Sequence, residues 1–266
     1  MTMGLEKILT EGLKAILADP AGAVVGLDFD GTLAPIVPDP ESARIHPAGP
    51  GVLARLGDLV GSLVIVTGRP AATAVEYGSL DRVPGLVVLG HYGLERWEAG
   101  SLVAPPVHPG LAHVRAELPR LIAGLDGVRI EDKDRSVAVH TRRAPEPQAA
   151  LDALRAPVGV LAAETGLAVE PGKFVLELRP PGIDKGTTLS AFLRERSARS
   201  VLFAGDDLGD VAAFAAVRAS GLPGVTVFSG SAEVGAELGE TADIVVDGPA
   251  GVIELLGSLA DALAGS

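Results

Sequence analysis

The residues that could do chemistry together begin at Asp28, where two carboxylates stand one residue apart. The run Val24–Leu33 reads VVGLDFDGTL, so an apolar segment ends at Asp28, and Asp30 is followed by the turn residue Gly31. One carboxylate can act as a nucleophile while its neighbour moves a proton, and both can approach a divalent cation. This arrangement favours phosphoryl transfer through a covalent aspartyl phosphate.

A hydroxyl, an ammonium group and a cluster of acids also follow predicted strands or begin a predicted helix. Ligands of open α/β sheets bind beyond the carboxyl ends of the strands, so we expect these distant segments to meet around one cleft. The residues concerned are Thr67, Gly68 and Arg69 after Leu63–Val66, Lys185 at the start of a helix, and Asp206, Asp207 and Asp210 after Val201–Ala204.

Each of these segments also has a purely structural interpretation. Asp28 and Asp30 can cap a turn, because Asp-Gly is a common turn pair. Thr67 can bond the local backbone, Lys185 can be solvated, and acids at a helix start are favoured by the helix dipole. However, three acids within the five residues Asp206–Asp210 repel one another unless a cation is present. This repulsion favours the functional interpretation of the whole set.

Short apolar runs separated by helical patterns define the elements that must position these residues. The runs are rich in Val, Ile and Leu and do not alternate with polar residues, as expected for parallel strands covered on both faces. We therefore predict an α/β fold with a Rossmann-like parallel-sheet core. The predicted strands are Ala23–Leu27, Leu63–Val66, Leu86–Leu89, Val201–Ala204, Val225–Phe228 and Ile244–Val246, and the predicted helices are Pro50–Val60, Pro70–Ser79, Lys185–Arg196, Asp210–Ser220, Ala232–Leu238 and Gly251–Leu263.

The segment from about Pro105 to Gly182 has a different pattern. Its predicted strands partly alternate apolar and polar residues, which suits an antiparallel sheet with helices on one face, and proline pairs flank it as stiff linkers. Its predicted helices are Gly110–Ala123 and Glu146–Ala163, and its predicted strands are Gly127–Asp132, Ser136–His140, Leu167–Pro171 and Lys173–Arg179. We predict a small α/β cap domain, residues 107–182, inserted into a core domain formed by residues 1–106 and 183–266.

Composition limits the classes of partner. A formal net charge of −12 argues against nucleic acid and anionic membranes, which need a basic surface. No apolar run approaches the ~20 residues of a bilayer span, and the charged N-terminal segment lacks the pattern of a secretory signal, so we expect a cytoplasmic protein. The absence of cysteine excludes disulfides and thiolate sites. We expect a monomer that binds a small anionic substrate through a metal and a few placed Lys or Arg side chains.

The chemical segments together resemble the four motifs of the haloacid dehalogenase superfamily of phosphatases: DxD, a Ser or Thr, a Lys and a loop with paired acids. Longer segments are similar to trehalose-6-phosphate phosphatases, from about residue 23 to 247. They read LDFDGTLAPIVPDPESARIHP, VTGRP, GHYGLE, EDKDRSVAVHTR, EPGKFVLELRP, DKG and GDDLGD. The resemblance implies hydrolysis of trehalose 6-phosphate to trehalose and inorganic phosphate.

The resemblance also implies roles for the core residues. Asp28 would be the nucleophile, and Asp30 would protonate the departing sugar oxygen and then take a proton from water. Mg²⁺ would be held by the Asp28 carboxylate, the Asp30 backbone carbonyl and Asp206, because hard oxygen ligands are what this ion prefers. Thr67 and Lys185 would hold the phosphoryl group.

Further residues of the core have supporting roles by the same resemblance. Asp207 and Asp210 would orient metal-bound water and the catalytic lysine. Gly68, Arg69 and His91 would lie at the substrate. Two of these assignments stay open, because Arg69 can instead form an ion pair and His91 can be a buried structural histidine.

The predicted cap contributes a second set of charged residues. By the resemblance, Glu131, Lys133 and Glu177 face the sugar, whose hydroxyl groups carboxylates and an ammonium can bind by charge-assisted hydrogen bonds. The alternative is that they are solvated strand charges or local ion pairs.

The chain departs from the family pattern at a few positions, which leaves the substrate open. Gly209 and Val211 stand in the acidic loop where a Thr and a Glu are usual, and Tyr92 stands where a small or polar residue is usual. Phosphates of sucrose, of mannosylglycerate or of a trehalose-like pseudo-disaccharide are therefore alternative substrates. A non-enzymatic sugar-phosphate sensor is a third hypothesis, disfavoured because every motif position of the core is present.

Overall fold

The computed structural model describes residues 9–230 and 239–265. The chain forms two compact units, one made of Met1–Ala104 and Asp184–Ser266 and the other of Pro105–Ile183. The second unit is therefore inserted within the first along the sequence. The helix predicted over Ala232–Leu238 lies outside the described residues.

Strands and helices alternate along most of the chain. The strands are β1 Ala23–Leu27, β2 Ser62–Val66, β3 Leu86–Gly90, β4 Glu95–Glu98, β5 Ser101–Val103, β6 Arg129–Asp132, β7 Val137–His140, β8 Ala168–Gly172, β9 Val175–Arg179, β10 Ser200–Gly205, β11 Gly224–Gly230 and β12 Ile244–Asp247. The helices are α1 Glu11–Ala18, α2 Gly49–Gly57, α3 Ala71–Gly78, α4 Gly110–Leu121, α5 Pro147–Thr165, α6 Lys185–Glu195, α7 Leu208–Ala219 and α8 Gly248–Ala264. Within the described ranges, no helix has the length and hydrophobicity needed to cross a bilayer.

The larger unit is built on an eight-stranded sheet in the order β12-β11-β10-β1-β2-β3-β4-β5. The strands from β12 to β3 in this order pair in parallel, which confirms the predicted α/β class with a Rossmann-like core. The antiparallel pair β4 and β5 extends one edge and was not predicted. These strands are short, and β4 reads ERWE, so they lack the apolar run that identifies a buried strand.

Alternate side chains of the parallel strands pack into separate cores on the two faces of this sheet. Val25 and Leu27 of β1 join the core that includes residues of α1, α2 and α8, while Val24 joins the core that includes residues of α6 and α7. Burial of every residue of β1 explains why its sequence is apolar without alternation. Each fully buried Val or Leu contributes about 1.5–3 kcal/mol to this packing.

Two aspartates cap the helices that begin at Lys185 and Leu208 and so fix where these helices start. Asp184 accepts a hydrogen bond from the Thr187 N–H at 2.8 Å, in a reciprocal capping box that starts α6 at Lys185. Asp207 accepts one from the Gly209 N–H at 2.8 Å and starts α7. The sequence pattern placed the start of this second helix at Asp210, which is wrong, because the cap lies three residues earlier.

The smaller unit is a four-stranded antiparallel sheet in the order β6-β7-β9-β8, with α4 and α5 on one face. Apolar side chains at alternate positions of β7 and β9 pack against the two helices, among them Val137, Val139, Leu176 and Leu178. The residues between them project from the opposite face, because successive side chains of a strand alternate. The polar positions of the sheet are therefore gathered on the face that the helices do not cover.

Candidate active site

The predicted chemical residues of the larger unit meet at one edge of its sheet. Asp28 follows β1, Thr67 follows β2 and Asp206 follows β10, and β1 pairs in parallel with both of the other strands. The carboxyl ends of these neighbouring strands consequently lie side by side. The start of α6 brings Lys185 to the same edge.

Lys185 lies between two buried carboxylates. Its Nζ is 2.7 Å from Asp28 Oδ1 and 2.8 Å from Asp210 Oδ1, and the side chains of all three residues are at most 5% exposed. Burial raises the pKa of Asp28 well above its ordinary range, although Lys185 opposes the shift. Burial alone would lower the pKa of Lys185, but Asp210 and Asp28 outweigh it and raise that pKa. The lysine is therefore a fixed positive charge directly beside Asp28, and its predicted alternative as a solvated lysine is wrong.

The Asp210 carboxylate is engaged on both of its oxygens. Oδ1 accepts from Lys185, and Oδ2 accepts from the backbone N–H groups of Asp206 and Asp207 at 3.0 and 3.2 Å. Burial raises the pKa of Asp210 to about 6, and Lys185 opposes this shift. These contacts fit a positioning role, in which Asp210 holds both the lysine and the backbone of the acidic loop.

Three buried carboxylates offer oxygens to a cation. Asp28, Asp206 and Asp210 each place one oxygen within 4.8 Å of the others. Burial, followed in size by the charge of Asp28, raises the pKa of Asp206 to about 10, so the ionised acids are strongly disfavoured as a group. A divalent cation would favour their ionised forms, and a donor set made only of hard oxygens suits such an ion. Since both oxygens of Asp210 already accept hydrogen bonds, Asp28 and Asp206 fit best as direct ligands.

Gly31 makes the close approach of Asp206 possible. Its φ is +77°, and a Cβ built on it would lie 2.0 Å from Asp206 Oδ2. Any other residue would be strained and would collide with that carboxylate. The turn after Asp30 therefore packs its backbone directly against the acid that follows β10.

Asp30 forms a bidentate ion pair with Arg69. The guanidinium Nε and Nη2 donate to the two carboxylate oxygens at 2.7 and 2.6 Å, and Nη2 also donates to the carbonyl of Pro40 at 3.0 Å. The guanidinium lies 5.5 Å from the ring centre of Phe29 and 5.3 Å from that of Tyr77. Of the two possibilities predicted for Arg69, the structure places it in the ion pair, which orients the Asp30 carboxylate.

The loop after β3 holds the loop after β2. The N–H groups of Tyr92 and His91 donate to the carbonyls of Thr67 and Arg69 at 2.8 and 2.9 Å. A Cβ on Gly68 would lie 2.8 Å from the Tyr92 hydroxyl, so Gly68 leaves space for that ring. His91 and Tyr92 both adopt positive φ, of 47° and 61°. The predicted phosphate-binding residues thus lie on a backbone braced by a strained neighbouring loop.

His91 is the first residue of the loop after β3 and is nearly fully buried. Its Nε2 is 3.9 Å from Glu95 Oε1, while Glu95 Oε2 accepts a hydrogen bond from the N–H of Ala71 at 2.8 Å. Glu95 is buried as well and reaches the first residue of α3. Through Glu95, His91 is therefore connected to the start of α3, the helix that follows the loop carrying Thr67 and Arg69.

The predicted sugar-binding residues of the smaller unit share the uncovered face of its sheet. Glu131 lies opposite Ala138, and Ala138 lies opposite Glu177, so both glutamates belong to one row across three strands. Lys133 Nζ donates to Glu177 Oε2 at 3.1 Å and lies 4.0 Å from Glu131 Oε2. Ser136 Oγ donates to Glu177 Oε1 at 2.5 Å. The structure thus joins Lys133 and Glu177 in a hydrogen-bonded ion pair, with Glu131 at ion-pair distance from the same lysine and a small alanine between the two glutamates.

Ser229 was missed by the sequence analysis. It is fully buried near the end of β11, and its Oγ donates to the Gly31 carbonyl at 2.6 Å. A polar residue at the end of the predicted strand Val225–Phe228 is the same signal that identified Asp28 and Thr67. The signal was weak because a lone serine carries no charge or recognisable spacing.

Comparison with known proteins places the chain in a family. The family model for trehalose-phosphatase matches residues 26–241. A probable trehalose-phosphate phosphatase of Sinorhizobium fredii is 33% identical over 213 residues, 79% of each chain, and the trehalose-6-phosphate phosphatase of Escherichia coli is 30% identical over 224 residues, 82% of each chain.

A solved structure shares the fold over nearly the whole chain. The C-terminal domain of a Candida albicans trehalose-6-phosphate phosphatase superimposes with a TM-score of 0.76 at 22% identity, covering 95% of this chain and 97% of that one. The family model spans most of the chain and both curated relatives are at least 30% identical over more than two thirds of it, so the chain belongs to the trehalose-phosphatase family of phosphatases.

Proposed function

We propose that this chain hydrolyses trehalose 6-phosphate to trehalose and inorganic phosphate. The observation that carries the proposal is the buried ion pair of Lys185 with Asp28 beside Asp206, in a chain of this family. The Escherichia coli relative is named a trehalose-6-phosphate phosphatase, and the Sinorhizobium fredii relative a probable trehalose-phosphate phosphatase.

Asp28 is the proposed nucleophile. Its carboxylate oxygen attacks phosphorus, the bond from phosphorus to the sugar oxygen breaks, and Asp30 gives a proton to that oxygen. Water then attacks the aspartyl phosphate, Asp30 takes a proton from it, and the Asp28 carboxylate is released with inorganic phosphate. Lys185, 2.7 Å from Asp28, lies where it can stabilise the charge on the phosphoryl oxygens throughout.

The proposed cofactor is Mg²⁺, held by the carboxylates of Asp28 and Asp206 and the backbone carbonyl of Asp30. When bound, the ion would offset the repulsion between the Asp28 carboxylate and the anionic phosphate. Asp210 would act through its contacts with Lys185 and the acidic loop, and Asp207 through its cap on α7. The metal ion and Lys185 would together supply positive charge at the site, so that a chain with a formal charge of −12 can bind an anionic substrate.

The remaining proposed contacts concern the phosphate and the sugar. Thr67 would donate its hydroxyl to a phosphoryl oxygen, with Gly68 and His91 shaping the surrounding loop. Arg69 would act on the substrate through Asp30, whose carboxylate it orients in a bidentate pair. On the smaller unit, the proposal assigns the sugar hydroxyls to Glu131, Lys133 and Glu177, named here together as the cap triad.

The reaction is tested by phosphate release from a panel of phosphorylated sugars. We expect trehalose 6-phosphate to be hydrolysed with the highest kcat/KM, above sucrose 6-phosphate, glucose 6-phosphate and mannosylglycerate phosphate. A chelator should abolish turnover and added Mg²⁺ should restore it. Asp28→Asn should lower kcat by at least about 10³-fold, because the nucleophile is lost.

Asp81→Asn, on an exposed carboxylate, is the matched control and should retain full activity. Turnover by Asp28→Asn within tenfold of the parent would refute the covalent scheme. A clear preference for another phosphate in the panel would instead replace the proposed substrate and leave the chemistry standing.

The cap triad is tested by comparing the sugar phosphate with a phosphate ester that carries no sugar. Glu131→Gln, Lys133→Met and Glu177→Gln should each raise KM for trehalose 6-phosphate by about tenfold or more, because each removes a charged hydrogen-bonding group from the sugar. The kcat/KM for p-nitrophenyl phosphate, which has no sugar, should stay within twofold of the parent. Glu164→Gln, on an exposed position of α5, serves as the control. Equal losses on both substrates would contradict the assignment.

A further inference from the structure

One buried serine ties the turn after Asp30 to a strand far away in sequence. Ser229 of β11 donates its hydroxyl to the Gly31 carbonyl at 2.6 Å across a separation of 198 residues, and both partners are buried. A hydroxyl that is fully buried and donates to a backbone carbonyl fixes the orientation of that peptide group.

The residue whose carbonyl Ser229 holds is the one whose Cα packs on Asp206. Gly31 has a φ of +77°, and its missing Cβ would lie 2.0 Å from Asp206 Oδ2. On its amino side, the Gly31 N–H donates to the Ala34 carbonyl at 2.7 Å, which closes the turn. Ser229 therefore adds a bond from β11 to a turn that is closed by its own backbone and packs on Asp206.

The distance between Asp206 and the backbone of Asp30 depends on this packing. The proposed metal site requires oxygens from both sides, the Asp206 carboxylate from one and the turn that carries Asp28 and Asp30 from the other. Without the Ser229 donor, the turn would keep its local closure but lose the bond that holds it to β11. The ligand set would then be less well ordered in the absence of the ion.

We propose that Ser229 is a positioning residue for the divalent-cation site, acting through the Gly31 carbonyl. The inference rests on the proposed function, because it assumes that Asp28 and Asp206 hold Mg²⁺. It goes beyond the motif residues by assigning part of the site's metal affinity to β11, a strand that contributes no ligand of its own.

The inference can be tested without relying on turnover. The metal-free protein is titrated with Mg²⁺, and the heat of binding is measured by calorimetry. Ser229→Ala should raise the dissociation constant of Mg²⁺ by about tenfold, the effect expected when a group that orients ligands is lost. Ser229→Thr, which restores a hydroxyl, should return it to within about threefold of the parent. Activity measured against Mg²⁺ concentration should show a shifted midpoint with kcat at saturating Mg²⁺ largely retained.

Two further variants distinguish a specific effect on Mg²⁺ binding from a general loss of structure. Ser229→Cys fills the site with a side chain of the same connectivity, slightly larger, and weakens the donor, so it should weaken Mg²⁺ binding even if the alanine variant fails to fold. Ser200→Ala removes a buried hydroxyl from the first residue of β10, at the opposite end of the strands, and should leave Mg²⁺ binding unchanged.

The outcomes separate this inference from the proposed function. A parent protein that binds Mg²⁺ together with Ser229 variants that bind it equally well overturns the inference and leaves the proposed function intact. Equal weakening by Ser200→Ala overturns it too, because the effect would then not be specific to the turn. A parent that binds no Mg²⁺ overturns the proposed metal site and this inference with it.

Discussion

At the scale of single residues, the active-site lysine balances charges that would otherwise be buried without a partner. Lys185 contacts Asp28 and Asp210 at 2.7 and 2.8 Å, and the three side chains are almost inaccessible to water. A buried ion pair is costly to assemble, but removing one member leaves an uncompensated charge in a medium of low polarity. The lysine therefore supports the local structure as well as the proposed chemistry.

Replacing this lysine should destabilise the protein strongly. We expect Lys185→Met to lower the free energy of unfolding by about 3–5 kcal/mol in the presence of a chelator, because two buried carboxylates lose their counter-charge. Urea denaturation measures the difference. Lys14→Met, which breaks an exposed pair with Glu11, should change it by less than about 0.5 kcal/mol. A loss below about 1 kcal/mol for Lys185→Met would contradict the argument.

At the scale of elements, glycines show where backbone conformation is required and where it is not. Gly166 ends α5 in the left-handed conformation with a φ of +70°. Gly159 lies inside the same helix, and a Cβ built on it would meet nothing within 4 Å beyond its chain neighbours and the backbone of its own helix. One helix thus contains a glycine that the fold needs and one that only adds flexibility to the unfolded chain.

Alanine at these two positions should have opposite effects on the stability of the smaller unit. Gly159→Ala should raise the free energy of unfolding by about 0.5–1 kcal/mol, because alanine loses less backbone entropy in a helix. Gly166→Ala should lower it by about 1–2 kcal/mol, because it places a Cβ in the left-handed region. Denaturation followed by circular dichroism measures both. If both substitutions changed the free energy of unfolding in the same direction, either the space assigned to a side chain at Gly159 or the strain assigned to one at Gly166 would be wrong.

At the scale of the whole molecule, we expect the buried acids to make the stability of the larger unit depend on a divalent cation. Asp28, Asp206 and Asp210 lie within one group of carboxylates in a chain with a formal charge of −12. A ligand that binds only the folded state stabilises it by mass action, by about 2.7 kcal/mol at a hundred times its dissociation constant. Binding of Mg²⁺ should therefore be visible in thermal unfolding.

We expect saturating Mg²⁺ to raise Tm of the parent protein by about 5–10 °C relative to protein in chelator. Asp206→Asn should lose most of this increase, because it removes a ligand. Its Tm in chelator should exceed that of the parent, because burial raises the pKa of Asp206 to about 10 and folding must therefore either bury its charge or take up a proton, whereas asparagine does neither. Asp58→Asn, on an exposed residue at the end of α2, should behave like the parent. An undiminished Mg²⁺ effect in Asp206→Asn would remove that residue from the proposed ligands.

The sequence by itself determined the features that depend on short-range physics. Burial on both faces requires apolar strands without alternation, so β1 was predicted with its observed bounds, Ala23–Leu27. The position of Asp28 at the end of that strand follows directly, since the carboxyl edge of a parallel sheet is where such residues collect. The hairpin of β4 and β5 escaped prediction because its strands are short and partly exposed.

Only the tertiary structure decided which side chains become partners. Arg69 pairs with Asp30, Lys185 bridges Asp28 and Asp210, and Ser229 bonds Gly31 across 198 residues. Such pairings depend on distances between segments that are remote along the chain, and the order of strands in the sheet sets those distances. Local periodicity carries no information about that order. The sequence therefore predicts candidate reactive residues and, through the family resemblance, the contact of Asp210 with the lysine, whereas the partners of Arg69 and Ser229 came only from the tertiary structure.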